Sequence, residues 1–225
     1  AGMWEPKTFG LFVPEAEAKF TASGKDLFAR NAAAMKSGHI MQTAWTSCRP
    51  GAISTMTMPR ESILVLESAD EITILYEMPR MVRRIRMGVE HSKNIQPGYA
   101  GHSTGRWEGD TLVVDSIGFN GYGELGAGGQ PTSPQLHTIE RFTPAADGSL
   151  DIEVTVTDPQ FYTEPVHLKR AWKKRESRHQ LEYDCMENPR EEDFSHAYYV
   201  HEQYKPVCAR VAGKGMALSK MVCGR

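Results

Sequence analysis

The chain of 225 residues lacks the segments that mark a membrane span or a nucleic-acid surface. No apolar run approaches the roughly 18 residues that a bilayer-crossing helix needs. Basic residues are spread along the chain without one long tract, and the formal net charge is −2. Proteins that bind nucleic acid through its phosphates concentrate positive charge on one surface. We therefore expect no transmembrane span and no nucleic-acid partner.

The common catalytic and cofactor motifs are also missing. The sequence contains no Gly-x-Ser-x-Gly elbow, no P-loop and no dinucleotide fingerprint. Its eight histidines show neither His-x-x-x-His nor His-x-His spacing, which are common patterns of metal sites. We predict no cofactor and no metal site. A metal-binding function would require donors from distant parts of the chain to converge.

Cysteine is scarce, and the four present form no Cys-x-x-Cys pair. This spacing fits disulfides better than a zinc site. We predict that Cys48 pairs with Cys185 and Cys208 with Cys223, each bond contributing about 2–4 kcal/mol in an oxidising compartment. Four reduced, buried thiols are the alternative. The chain starts at Ala1, which we interpret as the product of signal-peptide cleavage, so we expect a periplasmic or secreted location.

From Ser62 onward, short β-rich runs alternate with turn residues. Most connections are short, which favours antiparallel neighbours. We predict a mainly β fold: an antiparallel up-and-down meander closed as a barrel or folded into a two-layer sandwich. The predicted strands are 63–67, 72–78, 82–87, 99–107, 111–117, 136–143, 150–157, 166–174 and 180–186.

One helix is predicted, from about Lys25 to Ser37, with a start signal at Ser23 and Asp26 and a stop at Gly38. We divide the single structural domain into an N-terminal arm and helix, a β region and a C-terminal arm. Two connections, 88–98 and 120–135, are long enough to form lids or binding edges. The three divisions are residues 1–40, 41–190 and 191–225.

The run from Tyr99 to Phe119 has the pattern of a hairpin. A two-residue turn at Glu108 and Gly109 would place His102 opposite Asp115. By alternation, His102, Arg106 and Asp115 then share one polar face. If that face lines a cavity, the three form an acid-base and anion-holding set. If it faces solvent, they form an ordinary cross-strand group.

The next hairpin places Glu140 on an otherwise apolar face, with Thr143 opposite Ser149. A buried carboxyl without a partner has a raised pKa and can serve as a general acid. A structural ion pair with Arg170 is the alternative, because Arg170 and Trp172 alternate onto one face of a later strand. The predicted catalytic residues are thus His102, Arg106, Asp115 and Glu140, and the predicted ligand-contacting residues are Arg170, Trp172 and Tyr183.

Three motifs carry a resemblance to known proteins. They are Gly-His-Ser-Thr-Gly-Arg-Trp-Glu-Gly-Asp-Thr-Leu-Val-Val-Asp at 101–115, Leu-His-Thr-Ile-Glu-Arg-Phe at 136–142 and Glu-Tyr-Asp-Cys-Met-Glu-Asn at 182–188. With them the chain resembles a group of exported proteobacterial β-rich proteins of unassigned function, over roughly residues 40–190. The resemblance implies export and a β-rich fold. The meander and its Gly-x-Trp element are also similar to the lipocalin or calycin class, whose barrels hold small apolar ligands.

These features support three functional hypotheses. The leading one is an exported β-barrel that binds a small, partly apolar molecule, with proton-transfer chemistry of the isomerase, lyase or hydratase type at the predicted catalytic residues. The second is a non-enzymatic accessory subunit that contacts another copy or a membrane complex through its apolar terminal arms. The third is a periplasmic metal binder.

Overall fold

The computed structural model describes residues 1–7, 18–37, 50, 53–57, 62–77, 81–126, 128–176 and 180. The described chain folds into nine strands and two helices, of which the second is a single short turn. The helices are α1 (Ala22–Lys36) and α2 (Ile53–Thr57). The strands are β1 (Gly2–Pro6), β2 (Ile63–Glu67), β3 (Glu71–Tyr76), β4 (Val82–Met87), β5 (His102–Glu108), β6 (Thr111–Ile117), β7 (His137–Pro144), β8 (Leu150–Thr157) and β9 (Val166–Lys174).

The strands form one closed barrel in sequence order, and β9 returns to pair with β1. This confirms the predicted mainly β fold with one N-terminal helix, and of the two predicted architectures the chain adopts the barrel. Closure leaves no long unpaired sheet edge. Eight of the nine neighbouring pairs are antiparallel, and β4 and β5 are parallel. A parallel neighbour requires a long connection, which explains the segment between Met87 and His102.

The first residues, predicted as part of an arm, form a barrel strand instead. Trp4 of β1 pairs with Ile63 on one side and with Lys174 on the other. Gly2–Pro6 lacks the β-branched alternation typical of a strand, so its sequence does not indicate one. The predicted strand 180–186, apart from residue 180, and the predicted C-terminal arm 191–225 lie outside the described residues.

Helix α1 begins three residues earlier than predicted. Thr21 is its N-cap, and the Thr21 side chain accepts a hydrogen bond from the Gly24 N–H at 3.1 Å. Ser23 therefore lies inside the helix rather than at its start. The helix packs closely against the chain after β8, because a Cβ at Gly24 would lie 2.2 Å from the Phe161 carbonyl oxygen. Asn31 reaches the Gly129 carbonyl at 2.8 Å and ties the helix to the long β6–β7 connection.

Both predicted hairpins form, with a register two positions from the one predicted. In the first hairpin, Glu108 pairs with Thr111, so His102 lies opposite Ile117. The turn is at Gly109 and Asp110, and Gly109 takes the positive φ of 62° that a tight hairpin requires. The second hairpin pairs Thr143 with Asp151 rather than with Ser149.

The shift of two positions changes which residues pair across the hairpin but does not change the face on which each side chain lies. Side chains alternate between the two faces of a strand, so a shift of one residue exchanges the faces and a shift of two preserves them. Glu140 therefore stays on the same face as Val154, its observed neighbour. The predicted face compositions of both hairpins are correct, although the predicted cross-strand pairs are wrong.

The barrel interior is mostly apolar and close-packed. Its core contains strand residues that alternate inward, including Ile74, Ile85, Val114, Val154, Leu168 and Trp172. Gly105 of β5 points into this interior, and a Cβ there would lie 2.7 Å from Met87 Sδ and 2.8 Å from Ile85 Cγ2. The absence of a side chain at Gly105 lets both neighbours fill the space beside β5.

Replacing Gly105 with alanine tests this packing. We expect Gly105→Ala to lower the free energy of unfolding by about 1–3 kcal/mol, the usual cost of overpacking a filled core. Gly98→Ala is the matched control, because a Cβ at Gly98 would meet nothing within 4 Å. Urea unfolding monitored by circular dichroism gives both values. Equal midpoints for the two variants would contradict the assigned role of Gly105.

Candidate functional site

A cavity of about 230 Å³ occupies one end of the barrel. It lies at the end formed by the β2–β3, β5–β6 and β7–β8 turns. The lining is mainly apolar, and its residues come from β1, β2, β3, β5, β6, β7 and β8. The side chains that form most of the wall are Trp4, Ile63, Val65, Ile72, Ile74, Trp107, Leu112, Phe142 and Leu150.

The parallel β4–β5 pair creates an opening beside this cavity. Pairing between the two strands ends at Met87 and Gly105, and the chain then turns away from the wall at Gly88. Residues 106–108 of β5 therefore have no paired neighbour on the β4 side. Trp107 stands at this position with 53% of its surface exposed, although its side chain is on the inward face.

A groove of about 440 Å³ lies next to the opening. The groove and the cavity share Glu67, Ile72 and Trp107 as lining residues. Arg106, one of the predicted catalytic residues, lines this groove and points away from the cavity. The Trp107 ring is thus the boundary between an apolar cavity and a more polar outer groove.

A buried polar layer lies deeper in the barrel than the cavity. The Arg83 guanidinium forms an ion pair with Glu140, and both side chains are 1% exposed. Arg83 Nη1 donates to Glu140 Oε1 at 3.1 Å and Nη2 donates to Glu140 Oε2. The Arg83 guanidinium also donates hydrogen bonds to Ser103 Oγ at 3.1 Å and to Ser116 Oγ at 2.9 Å. A bidentate pair with additional hydrogen bonds is the arrangement that makes buried charge tolerable.

Titration of this layer follows from its burial. Burial raises the pKa of Tyr76 to about 12, although the nearby Arg83 charge opposes the rise. Burial by itself disfavours the charged Arg83, but attraction to Glu140 outweighs it and the pKa of Arg83 lies above its ordinary value. Arg83 therefore stays charged at all physiological pH values, in contact with Glu140.

The prediction that Arg170 would pair with Glu140 is wrong. Arg170 lies opposite Ile152, two positions along β8 from the Val154 that neighbours Glu140, and its Nη1 donates to the Lys169 carbonyl at 2.7 Å. The partner is Arg83, whose strand carries arginines at 83, 84 and 86. A basic run of this kind is typical of an exposed face, but alternation along the strand turns Arg83 inward, where it is 1% exposed, and leaves Arg84 and Arg86 outside.

His102, Arg106 and Asp115 lie on the outer face of the barrel. His102 and Asp115 do not touch directly, because His91 stands between them. His91 Nδ1 is 2.9 Å from His102 Nδ1, and His91 Nε2 is 3.0 Å from Asp115 Oδ1. His137 Nε2 also reaches Asp115 Oδ1, at 2.9 Å. Sequence reasoning missed His91 and His137, because neither belongs to the hairpin whose register we counted.

The four predicted catalytic residues thus occupy three separate places. Glu140 is in the buried layer, His102 and Asp115 are in the outer histidine cluster, and Arg106 is bonded at the surface to Glu108 at 2.7 and 3.0 Å. None of the four lines the cavity. The expectation that they would surround one pocket is wrong, because the two faces of a strand lie on opposite sides of the barrel wall. A catalytic role for any of them stays a prediction.

Of the predicted ligand-contacting residues, Arg170 and Trp172 are not part of the cavity lining. Trp172 is 2% exposed and packs in the core, and no described residue accepts a hydrogen bond from its indole nitrogen. Tyr183 and the four cysteines, Cys48, Cys185, Cys208 and Cys223, lie outside the described residues. The predicted disulfides therefore stay predictions.

Neither a metal centre nor a spanning helix is present in the described part of the chain. No three or more His, Cys, Asp or Glu side chains among those residues are arranged to hold a metal ion. In the outer cluster, the ring nitrogens are directed at one another and at Asp115 instead of at a common centre. No described helix is long and apolar enough to cross a bilayer.

Comparison with known proteins adds little to this picture. No protein-family model matches the chain, and no curated protein matches it. Among solved structures, the chain is similar to a REP1-NXSQ fatty acid transporter, with 12% sequence identity and a TM-score of 0.39. The match covers 79% of this chain and 96% of the other. At that identity and score, the likeness says nothing about what this chain binds.

Removing one partner of the buried Arg83–Glu140 pair should strongly lower the free energy of unfolding. Arg83→Met leaves the Glu140 carboxyl in the barrel without its partner, and breaking a buried ion pair costs about 3–5 kcal/mol. We expect a loss of that size in urea unfolding. The double variant Arg83→Met with Glu140→Leu removes both charges and should recover most of the loss, since an apolar replacement of a buried pair is often neutral.

An exposed pair provides the control for this experiment. Lys169 and Glu153 form an ion pair at 2.7 Å on the outer face, with 82% and 57% of their side chains exposed. Lys169→Met should leave the unfolding midpoint unchanged, because solvent screens exposed pairs. A double variant as unstable as Arg83→Met would show that the damage comes from lost packing rather than from an unpaired charge.

Proposed function

We propose that the protein binds a small apolar molecule in the cavity at the Trp107 end of the barrel. The observation that carries the proposal is an apolar, preformed cavity inside an otherwise close-packed core. Filled interiors are the norm, because empty space forfeits dispersion contacts and destabilises the fold. An apolar cavity that opens beside an exposed tryptophan is the usual form of a ligand site.

The size of the cavity limits the ligand. An apolar cavity of about 150 Å³ accepts benzene, and this one is about 230 Å³. A single substituted ring or a short branched chain therefore fits entirely inside the barrel. A longer molecule would have to extend past Trp107 into the outer groove. We therefore propose single-ring aromatic or short aliphatic compounds as the ligand class.

Binding without chemistry is the form of the function that the cavity supports. Among its lining side chains, those of Glu67 and Asp110 are ionisable, and both are exposed at the mouth. The buried Arg83 and Glu140 neutralise each other in the deeper layer. The deep part of the cavity thus offers a bound ligand apolar contacts and no proton donor or acceptor of the kind we predicted. The expected periplasmic or secreted location stays a prediction.

Ligand binding is tested with toluene and a pair of matched variants. We expect saturable binding of toluene by isothermal titration calorimetry, with the negative heat-capacity change that accompanies apolar burial. Val65→Phe adds a ring inside the cavity and should abolish binding. Val82→Phe adds the same ring to an outward-facing position that is 56% exposed, and should leave the affinity within about twofold.

The folded state of each variant is checked by circular dichroism before titration. If toluene binds equally well to both variants, its site is elsewhere and the proposal is wrong. If the wild-type protein gives no heat and no change in tryptophan fluorescence at saturating toluene, the cavity is not a ligand site for this class of compound.

A further inference from the structure

A hydrogen-bonded cluster outside the barrel holds the segment between β4 and β5 against the wall. This cluster, here called the His91 clasp, consists of His91, His102, His137 and Asp115. His91 belongs to the connecting segment, and the other three belong to β5, β7 and β6. None of the four lines the apolar cavity, so the clasp is separate from the proposed ligand site.

The carboxylate fixes which ring nitrogens carry protons. An ionised carboxylate only accepts hydrogen bonds, so His91 Nε2 and His137 Nε2 both donate to Asp115 Oδ1, at 3.0 and 2.9 Å. A neutral His91 then has an unprotonated Nδ1, which accepts from His102 Nδ1 at 2.9 Å. The contact between the two rings therefore requires one proton, shared between the two Nδ1 atoms.

One additional proton is compatible with this contact, and a second is not. A charged His91 donates through both of its nitrogens, and a neutral His102 can accept. A charged His102 can equally donate to a neutral His91. When both rings are charged, two N–H groups face each other across 2.9 Å and the like charges repel. The closed clasp admits a single imidazolium on this pair.

The charged groups around the His91 and His102 rings do not compensate for the positive charge that a second proton would add. Arg86 faces them from β4 and is a further source of positive charge, and His137 lies beside them on β7 and also bonds Asp115. Asp115 on β6 is the carboxylate in contact, and it is already shared by two histidines. On the segment itself, Glu90 and Lys93 have opposite charges, and both are exposed to solvent.

Titration of His102 agrees with this geometry. Burial, followed by the neighbouring His91 and Arg86, lowers the pKa of His102 below its ordinary value. A ring that leaves the cluster regains the ordinary histidine pKa of about 6.5. The open form therefore takes up a proton at a pH where the closed form does not.

The segment has firm attachments at its two ends only. At one end the Gly88 N–H donates to the Gly105 carbonyl at 2.8 Å. At the other, the Gly98 N–H donates to the Gly118 carbonyl at 3.0 Å and Ile95 packs against Gly118. Between them, in the described structure, His91 supplies the side-chain hydrogen bonds from residues 89–94 to the barrel.

We propose that the His91 clasp is an acid-sensitive latch, which holds residues 89–94 on the barrel at neutral pH and releases them as the pH falls below about 6. Above pH 6.5 the open and closed forms bind the same number of protons, so the latch is at full strength. Below it, the open form binds one more. Its population then rises by up to about tenfold per pH unit, the dependence expected for a difference of one proton.

NMR relaxation dispersion of the backbone amides of residues 89–94 measures the population of the open form in the full-length protein. We expect that population to rise by about tenfold or more between pH 7.5 and pH 5.0. Amide hydrogen exchange in β7 and β8, which lie in the barrel wall, should keep its protection over the same range. Barrel-wide loss of protection at pH 5.0 would mean global acid unfolding, and it would overturn the proposal.

Three variants separate the latch from other effects of acid. His102→Asn keeps both a donor and an acceptor near the Nδ1 position but cannot be protonated, so the segment should stay closed at both pH values. His91→Ala removes the clasp, so the segment should be open at both. His167→Asn is the control, since His167 is an exposed outer residue of β9 that bonds Thr155 at 3.2 Å.

The outcome for His102→Asn decides the proposal. If the open population of residues 89–94 still rises in acid in this variant, another group controls the segment and the latch mechanism is wrong. The same conclusion follows if the wild-type protein has the same open population at both pH values, or if His167→Asn removes the pH dependence.

Discussion

The number of strands is the constraint on which the rest of this structure depends. Strand direction must return to its starting value after one circuit of a closed barrel, so antiparallel pairs occur in even number. Nine strands paired with their neighbours in sequence order therefore require an odd number of parallel pairs, and this barrel has one, between β4 and β5. That pair demands a connection along the length of the barrel. The segment carrying His91, the opening beside Trp107 and the outer groove all follow from it.

The interior is divided into two parts with different chemistry. Near the open end the walls are apolar and leave a cavity, while further in Arg83 and Glu140 bind each other among serine hydroxyls. The polar part gives the core a fixed geometry, because a bidentate pair tolerates little displacement before hydrogen bonds are lost. The apolar part can then remain unfilled without collapse of the wall around it. A rigid polar base beneath an apolar cavity is a physically consistent design for a small-molecule binder.

Sequence reasoning reached the fold and the faces of its strands, because alternation over five to nine residues is a local signal. It placed Glu140 on an apolar face and put His102 and Trp107 on opposite faces correctly, even though the counted register was two positions off. It left open which face of the first hairpin points inward. It could not find the partner of Glu140, because Arg83 is 57 residues away and looks like part of an exposed basic run. It also missed His91, whose position depends on the path of a long irregular connection. Side-chain faces are local information, whereas partners across a closed barrel are not.

The parallel junction has a kinetic consequence as well. β4 and β5 share three paired positions, whereas β7 and β8 share eight, so separation of the former breaks few hydrogen bonds. Local openings of a native protein occur where such bonds are few, at a cost far below that of global unfolding. A molecule held behind Trp107 can therefore enter and leave by transient widening of this seam while the remaining strand pairs stay intact. For the ligand proposed above, the residence time would depend on three backbone pairs and one aromatic ring, independently of how stable the whole fold is.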